Sequence, residues 1–166
     1  ATENFSNWGQ FPLVYFIILM FIGGCAGSTT CGIKIFRVQI LYQFISNQLK
    51  KIIYPRGIFK IKYQNNNVDE KFMDSIISFI FLYILIFFVV TALLSLDGLN
   101  FITAISAAAT SISNVGPGLG DIIGPNGSFS SLSDFSKWVL SAAMILGRLE
   151  LFAILVLFIP SFWRKY

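Results

Sequence analysis

Ser113-Asn114-Val115-Gly116-Pro117-Gly118-Leu119-Gly120 decides how this chain is read, because this Gly/Pro-punctuated loop sits directly behind an apolar segment too short to cross a bilayer. As a helix, residues 99–112 reach about 21 Å, against a hydrocarbon core of roughly 30 Å. Pro117 and the glycines then stop any helical continuation. A short apolar helix ending at membrane depth has to be buried in protein or line a cavity, since lipid offers backbone groups no partner. A loop in that position presents bare peptide carbonyls in place of water, which is what dehydrating a cation requires. A half-helix whose C-terminus faces the cavity adds the negative end of its dipole. Gly116 suits a positive φ and close approach of an ion, and Pro117 removes an amide donor. Asn114 either braces the loop or turns its carbonyl toward the ion. The plainer alternative is a tight extracellular turn capping a helix.

Composition supports the membrane setting. Of the 166 residues, 55% are hydrophobic and 12% charged, with mean hydropathy +0.74, whereas soluble domains carry about a quarter charged residues. Three stretches have the length or pattern of spans. Residues 76–96 form a continuous run whose only polar interruptions are Ser78, Tyr83, Thr91 and Ser95, as an ordinary lipid-facing helix allows. Residues 138–158 form another, containing Arg148 and Glu150. The first begins at Phe11 and is apolar to Ile22, where Gly23-Gly24-Cys25-Ala26-Gly27-Ser28-Thr29-Thr30-Cys31-Gly32 breaks it before a helical pattern resumes at Ile33. No basic, apolar and small-residue succession marks a signal peptide, and the start at Ala1 without Met leads us to expect a fragment.

Charge sets an expected orientation. Of the 12 Lys and Arg residues, eight lie between the first two long spans and two at the C-terminus, leaving Lys137 and Arg148 elsewhere. The excess of basic residues marks the cytoplasmic side. Ala1 is therefore expected outside and Tyr166 inside, with Trp8, Trp138 and Trp163 in the interfacial belts. Residues 54–71, with Pro55, Gly57 and an Asn65-Asn66-Asn67 turn, read as a small cytoplasmic hairpin whose basic surface suits anionic lipid or a soluble partner, though plain positive-inside bias explains it too. Cys25 and Cys31 fit neither a zinc spacing nor a disulfide framework and read as small buried thiols. The chain contains no His, and its acidic residues are scattered, so embedded enzyme chemistry has no base with a partner. Gly27 to Gly32 followed by Lys34 is not a phosphate loop: Ile33 intervenes, no hydroxyl residue follows, and no strand precedes it.

Arg148 connects two of these features. About 12 residues separate Phe11 from Gly23 and Ser136 from Arg148, so both sites lie roughly 18 Å along their helices. An arginine at that depth costs several kcal/mol unless satisfied and by default marks a functional site, and a broken helix exposes carbonyls that its five donors can take. We read Arg148 as a latch on that loop, with a static interhelical pin as the alternative. Glu150 cannot share a helix face with Arg148, and its expected partner is Lys34 or a residue outside the chain.

Three motifs in order carry a resemblance over essentially the whole chain. Residues 113–120 resemble the fourth filter of TrkH-type transporters of the Trk/Ktr/HKT superfamily, residues 23–34 resemble their intramembrane gating loop, and Leu146-Gly147-Arg148-Leu149-Glu150 is similar to their last helix. The resemblance implies an all-α membrane protein with a potassium-channel-like helix, pore half-helix, helix (M1-P-M2) repeat, preceded by a broken transmembrane helix. It divides the chain into 1–53, the end of a third repeat with its broken second helix; 54–71, the cytoplasmic hairpin; and 72–166, a complete fourth repeat. It implies a potassium ion path at Asn114, Val115, Gly116, Pro117 and Gly118, the ion being held by backbone carbonyls of Asn114, Val115 and Gly116. It also implies a gate of Gly23, Gly24, Gly27, Ser28, Thr29, Gly32, Lys34 and Arg148. Potassium is cargo, and no organic cofactor is expected. Implied partners are membrane lipid, the remainder of the same transporter chain, a homodimer mate and a cytoplasmic nucleotide-binding regulatory subunit, with no nucleic acid. A sodium-selective relative and a non-conducting membrane scaffold are the alternatives.

Overall fold

The computed structural model describes residues 8–57, 59–63, 66–120 and 122–148. Residues 1–7 and 149–166 fall outside this range, and with them the start of the chain, Glu150, Trp163 and the second half of the span expected over 138–158. The order is α1 (Gln10–Phe21), α2 (Ile35–Ile53), β1 (Lys62–Tyr63), β2 (Asn66–Asn67), α3 (Glu70–Leu96), α4 (Phe101–Ser113) and α5 (Asp134–Arg148).

α3 is the one described helix long and apolar enough to cross a membrane by itself. It starts six residues before the apolar run because Asp69 caps it, accepting from the Glu70 amide at 3.0 Å. At 27 residues it spans about 40 Å. Its face is not simply turned to lipid. Tyr83 is 2% exposed and Thr91 9%. Tyr83 shares a hydrogen bond with Ser113 Oγ at 2.7 Å, and Thr91 donates to the Phe87 carbonyl at 2.8 Å. Both hydroxyls are satisfied internally, as burial demands.

α1 and α2 are separated by the irregular segment 23–32. Ile22 and Ile33 form an isolated parallel bridge: the Gly23 amide donates to Ile33 O, and the Ile33 amide to Phe21 O, each at 3.0 Å. A parallel bridge means that the chain leaves the 23–32 excursion in the direction in which it entered. Because Ile33 is held in that bridge, helix resumes at Ile35 instead of Ile33. The hairpin is a minimal ladder pairing Lys62 with Asn67 and Tyr63 with Asn66.

α4 is the buried element. From Thr103 to Ser113 nearly every side chain is inaccessible, with α1, α3 and α5 packed around it. Ala104, Ala107, Ala108 and Ala109 make this possible: all are at 0% exposure, and their small side chains let neighbouring backbones come close. At 13 residues it is about 20 Å long, so it ends inside the bundle. At the far end of α3, Ser133 and Ser136 both donate to the Asp97 carboxylate, the latter at 2.6 Å. These bonds, Ser133's first, hold the exposed Asp97 carboxyl below its usual range and fasten the start of α5 to the end of α3.

A carbonyl loop and a helix break facing one cavity

The loop after α4 begins with a left-handed residue. Asn114 sits at φ 52°, ψ 43°, a conformation Asn tolerates better than most. Its amide and that of Val115 close onto the carbonyls of Ser111 (3.2 Å) and Thr110 (3.0 Å). Its side chain donates from Nδ2 to Met144 O on α5 at 3.1 Å. Of the two roles open to Asn114 on sequence grounds, the side chain takes the bracing one.

Past Asn114 the loop hangs from hydroxyls of α4. Thr110 Oγ1 accepts the Gly116 amide at 2.9 Å. Ser106 Oγ accepts the Leu119 amide at 3.0 Å, and its proton reaches Leu119 O at 3.2 Å or Thr103 O at 3.3 Å. The Gly118 amide donates to Ile123 O at 2.8 Å. The amides thus point inward. The carbonyls of Asn114, Val115, Gly116 and Pro117 receive no hydrogen bond among the described residues, and those four residues are exposed while Gly118 and Leu119 are buried. Gly116 adopts φ +117°, and a Cβ there would meet nothing within 4 Å. Glycine is needed for the backbone angle, not for space.

Thr103, Ser106, Thr110 and Ser113 recur at 3-4-3 spacing along α4, which puts these hydroxyls on one helix face. That periodicity is the signal by which the loop's anchors are legible in sequence, although the sequence reading did not single them out. Ser106→Ala is expected to strand the Leu119 amide, which lies in a fully buried residue. The cost is about 1–3 kcal/mol, to be read as a lower thermal midpoint for the full-length protein, with Thr103→Ala as a milder control.

The helix break between α1 and α2 is internally knitted. Thr30 Oγ1 accepts from the Gly24 amide at 2.9 Å and pairs with Ser28 Oγ at 3.0 Å. The Ile35 amide reaches Gly24 O at 3.2 Å, Lys34 Nζ reaches Ala26 O at 3.5 Å, and Gly32 adopts φ +85°. Gly27 stands in open space. Across the bundle, Arg148 Nη1 donates to Thr29 O at 2.8 Å and lies 3.9 Å from Cys31 Sγ. Cys25 is exposed and Cys31 half-buried, which corrects the expectation of two buried thiols: both stand where the chain leaves regular helix and packs less densely. Next to Arg148, Gly147 packs so closely on the end of α4 that a Cβ would lie 1.8 Å from Ile112 O.

A cavity of about 300 Å³ joins these parts. It is lined by Gly23, Gly24, Thr29 and Cys31 from the helix break, by Asn114 and Val115 from the carbonyl loop, and by Arg148. Gly116, Pro117 and Gly118 do not line it. Ser28, Gly32 and Lys34 lie on the other side of the break, around a second cavity of about 200 Å³ that Arg148 also borders.

The family described as TrkH, cation transport protein, matches residues 1–165. The chain belongs to the TrkH family. The Trk system potassium uptake protein TrkI of Halomonas elongata is 43% identical over 165 residues, covering 99% of this chain and 34% of that protein. TrkH of Escherichia coli K12 is 35% identical with the same coverages. Among solved structures, the crystal structure of the potassium transporter TrkH from Vibrio parahaemolyticus superposes with a TM-score of 0.87 at 35% identity, over 98% of this chain and 34% of that one. The chain therefore spans about a third of these TrkH relatives. Its helical architecture is that of a membrane transporter.

Proposed function

We propose that this chain is one part, about a third, of a potassium-uptake pathway, supplying one filter strand and the gate beneath it. α3, α4 and α5 act as the helix, pore half-helix and helix of a fourth M1-P-M2 repeat in residues 72–166, residues 1–53 close a third repeat, and residues 54–71 form the cytoplasmic hairpin between them. The observation that carries this reading is the shared cavity: Asn114 and Val115, whose carbonyls accept no hydrogen bond among the described residues, line one side of it, and the helix break that Arg148 holds at Thr29 lines the other. Asn114, Val115 and Gly116 donate carbonyls to a dehydrated potassium ion, Pro117 contributes a residue without an amide proton, and Gly118 anchors the strand. Gly23, Gly24, Gly27, Ser28, Thr29, Gly32, Lys34 and Arg148 form the gate. Oxygen dipoles replace the ion's hydration shell, and the C-terminal end of α4 adds partial negative charge. The chain does no covalent chemistry.

The chain sits in the plasma membrane with its N-terminal side outside the cell and its C-terminal side in the cytoplasm, and the rest of the transporter completes the ring. A homodimer and a cytoplasmic nucleotide-binding subunit belong to the same proposal. Flux measured with the full-length transporter in liposomes tests it. Uptake that favours potassium over sodium is the expected result. Sodium-favouring uptake points to the sodium-selective alternative, and correctly assembled protein without flux points to a scaffold.

A further inference from the structure

We propose that the cavity bounded by α2, the hairpin and the start of α3 holds the headgroup of a zwitterionic aminophospholipid from the cytoplasmic leaflet. The cavity measures about 320 Å³, and its apolar walls include Phe44, Phe59 and Met73. Lys51 and Lys60 line it together with Asp69 and Glu70. Among the described residues these opposite charges form no ion pair with one another, although they border one space. One Asp69 oxygen is engaged by the Glu70 amide, and among the described residues neither the other oxygen nor the Glu70 carboxylate accepts a hydrogen bond. A purely anionic headgroup satisfies the lysines but meets two carboxylates, and a simple cation has the reverse difficulty. A group carrying both phosphate and a primary ammonium answers both, through charge-assisted hydrogen bonds at each end. A choline headgroup offers its carboxylate neighbours no N–H donor.

Position argues for a lipid over a soluble zwitterion. Met73 and Glu70, which both line the cavity, lie about 4.5 and 9 Å along α3 before the apolar run that begins at Ile76, so the cavity spans the outer edge of the headgroup layer, about 5–8 Å deep on each side of the core. On the neighbouring face of α2, Ile45 is exposed by 50%, and at about 15 Å along α2 from Ile35 it stands near the inner edge of the hydrocarbon core, where acyl chains end. The inference rests on the proposed orientation of α3.

The test is native mass spectrometry of the full-length transporter from membranes of phosphatidylethanolamine, phosphatidylcholine or phosphatidylglycerol, with potassium uptake measured on the same preparations. Retention of phosphatidylethanolamine is expected, reduced at least tenfold in the Lys51→Gln/Lys60→Gln double variant and again in Glu70→Gln. Equal retention of either other lipid, or retention unchanged in both variants, overturns the proposal. So does displacement of the lipid by free phosphoethanolamine, which would assign the site to a soluble zwitterion. Uptake without lipid retention counts against this site alone, whereas lipid retention without uptake counts against the transport reading alone.

Discussion

Replacing Gly147 by alanine is expected to abolish potassium uptake by the full-length transporter and to lower its thermal stability. Two effects oppose each other here. Helix propensity favours alanine by about 1 kcal/mol within a helix, so Gly147→Ala in a loosely packed α5 would stabilise the protein. The new Cβ, however, would lie 1.8 Å from Ile112 O and 2.8 Å from its carbon. Both are backbone atoms of α4, which no rotamer change can clear. Relief requires the two helices to separate by about 1.5 Å to restore ordinary contact, and such overpacking costs about 1–3 kcal/mol or more. Packing therefore outweighs propensity. The separation would also disturb the Asn114 to Met144 bond and the adjacent Arg148, so transport falls further than stability. An unchanged or raised thermal midpoint with normal uptake would refute the close approach of α4 and α5.

Removal of Arg148 is expected to raise ion leak. In Arg148→Ala the Thr29 carbonyl loses its guanidinium donor, and residues 23–32 keep only their internal bonds. A hydrogen bond to a charged group is worth about 1.5–3 kcal/mol. Because Arg148 borders open cavities, the lower figure applies, equivalent to about a tenfold shift toward the unlatched loop. Potassium flux through full-length protein in liposomes should rise severalfold, with Arg148→Lys intermediate because its single ammonium keeps the charge but loses the fork. Normal assembly with unchanged flux would take Arg148 out of the gate and leave it a static pin.

Much of the architecture is legible in the sequence. Length separates α4 from a spanning helix, since 13 residues cannot cross, and the glycines and proline behind it mark where helix must stop. Equal helical depth placed Arg148 level with the break in the first crossing. Boundaries were less legible: α3 begins at Glu70 because a side-chain cap extends it past the apolar run, and α2 waits until Ile35 because Ile33 is engaged in a bridge to Ile22.

By itself, the sequence determined the class of protein, the long apolar helix α3, the short apolar helix α4 and the positions of its two irregular loops. These follow from hydropathy, residue count and the conformational limits of Gly and Pro, all properties local to the chain. Tertiary structure alone decided the partners: Thr29 for Arg148, Met144 for Asn114, the Ile112 carbonyl for Gly147, and the Ser106 hydroxyl for both backbone groups of Leu119. Each pairing joins residues well separated in sequence. Periodicity shows which face of a helix is buried, but only packing in three dimensions selects the atom that meets it.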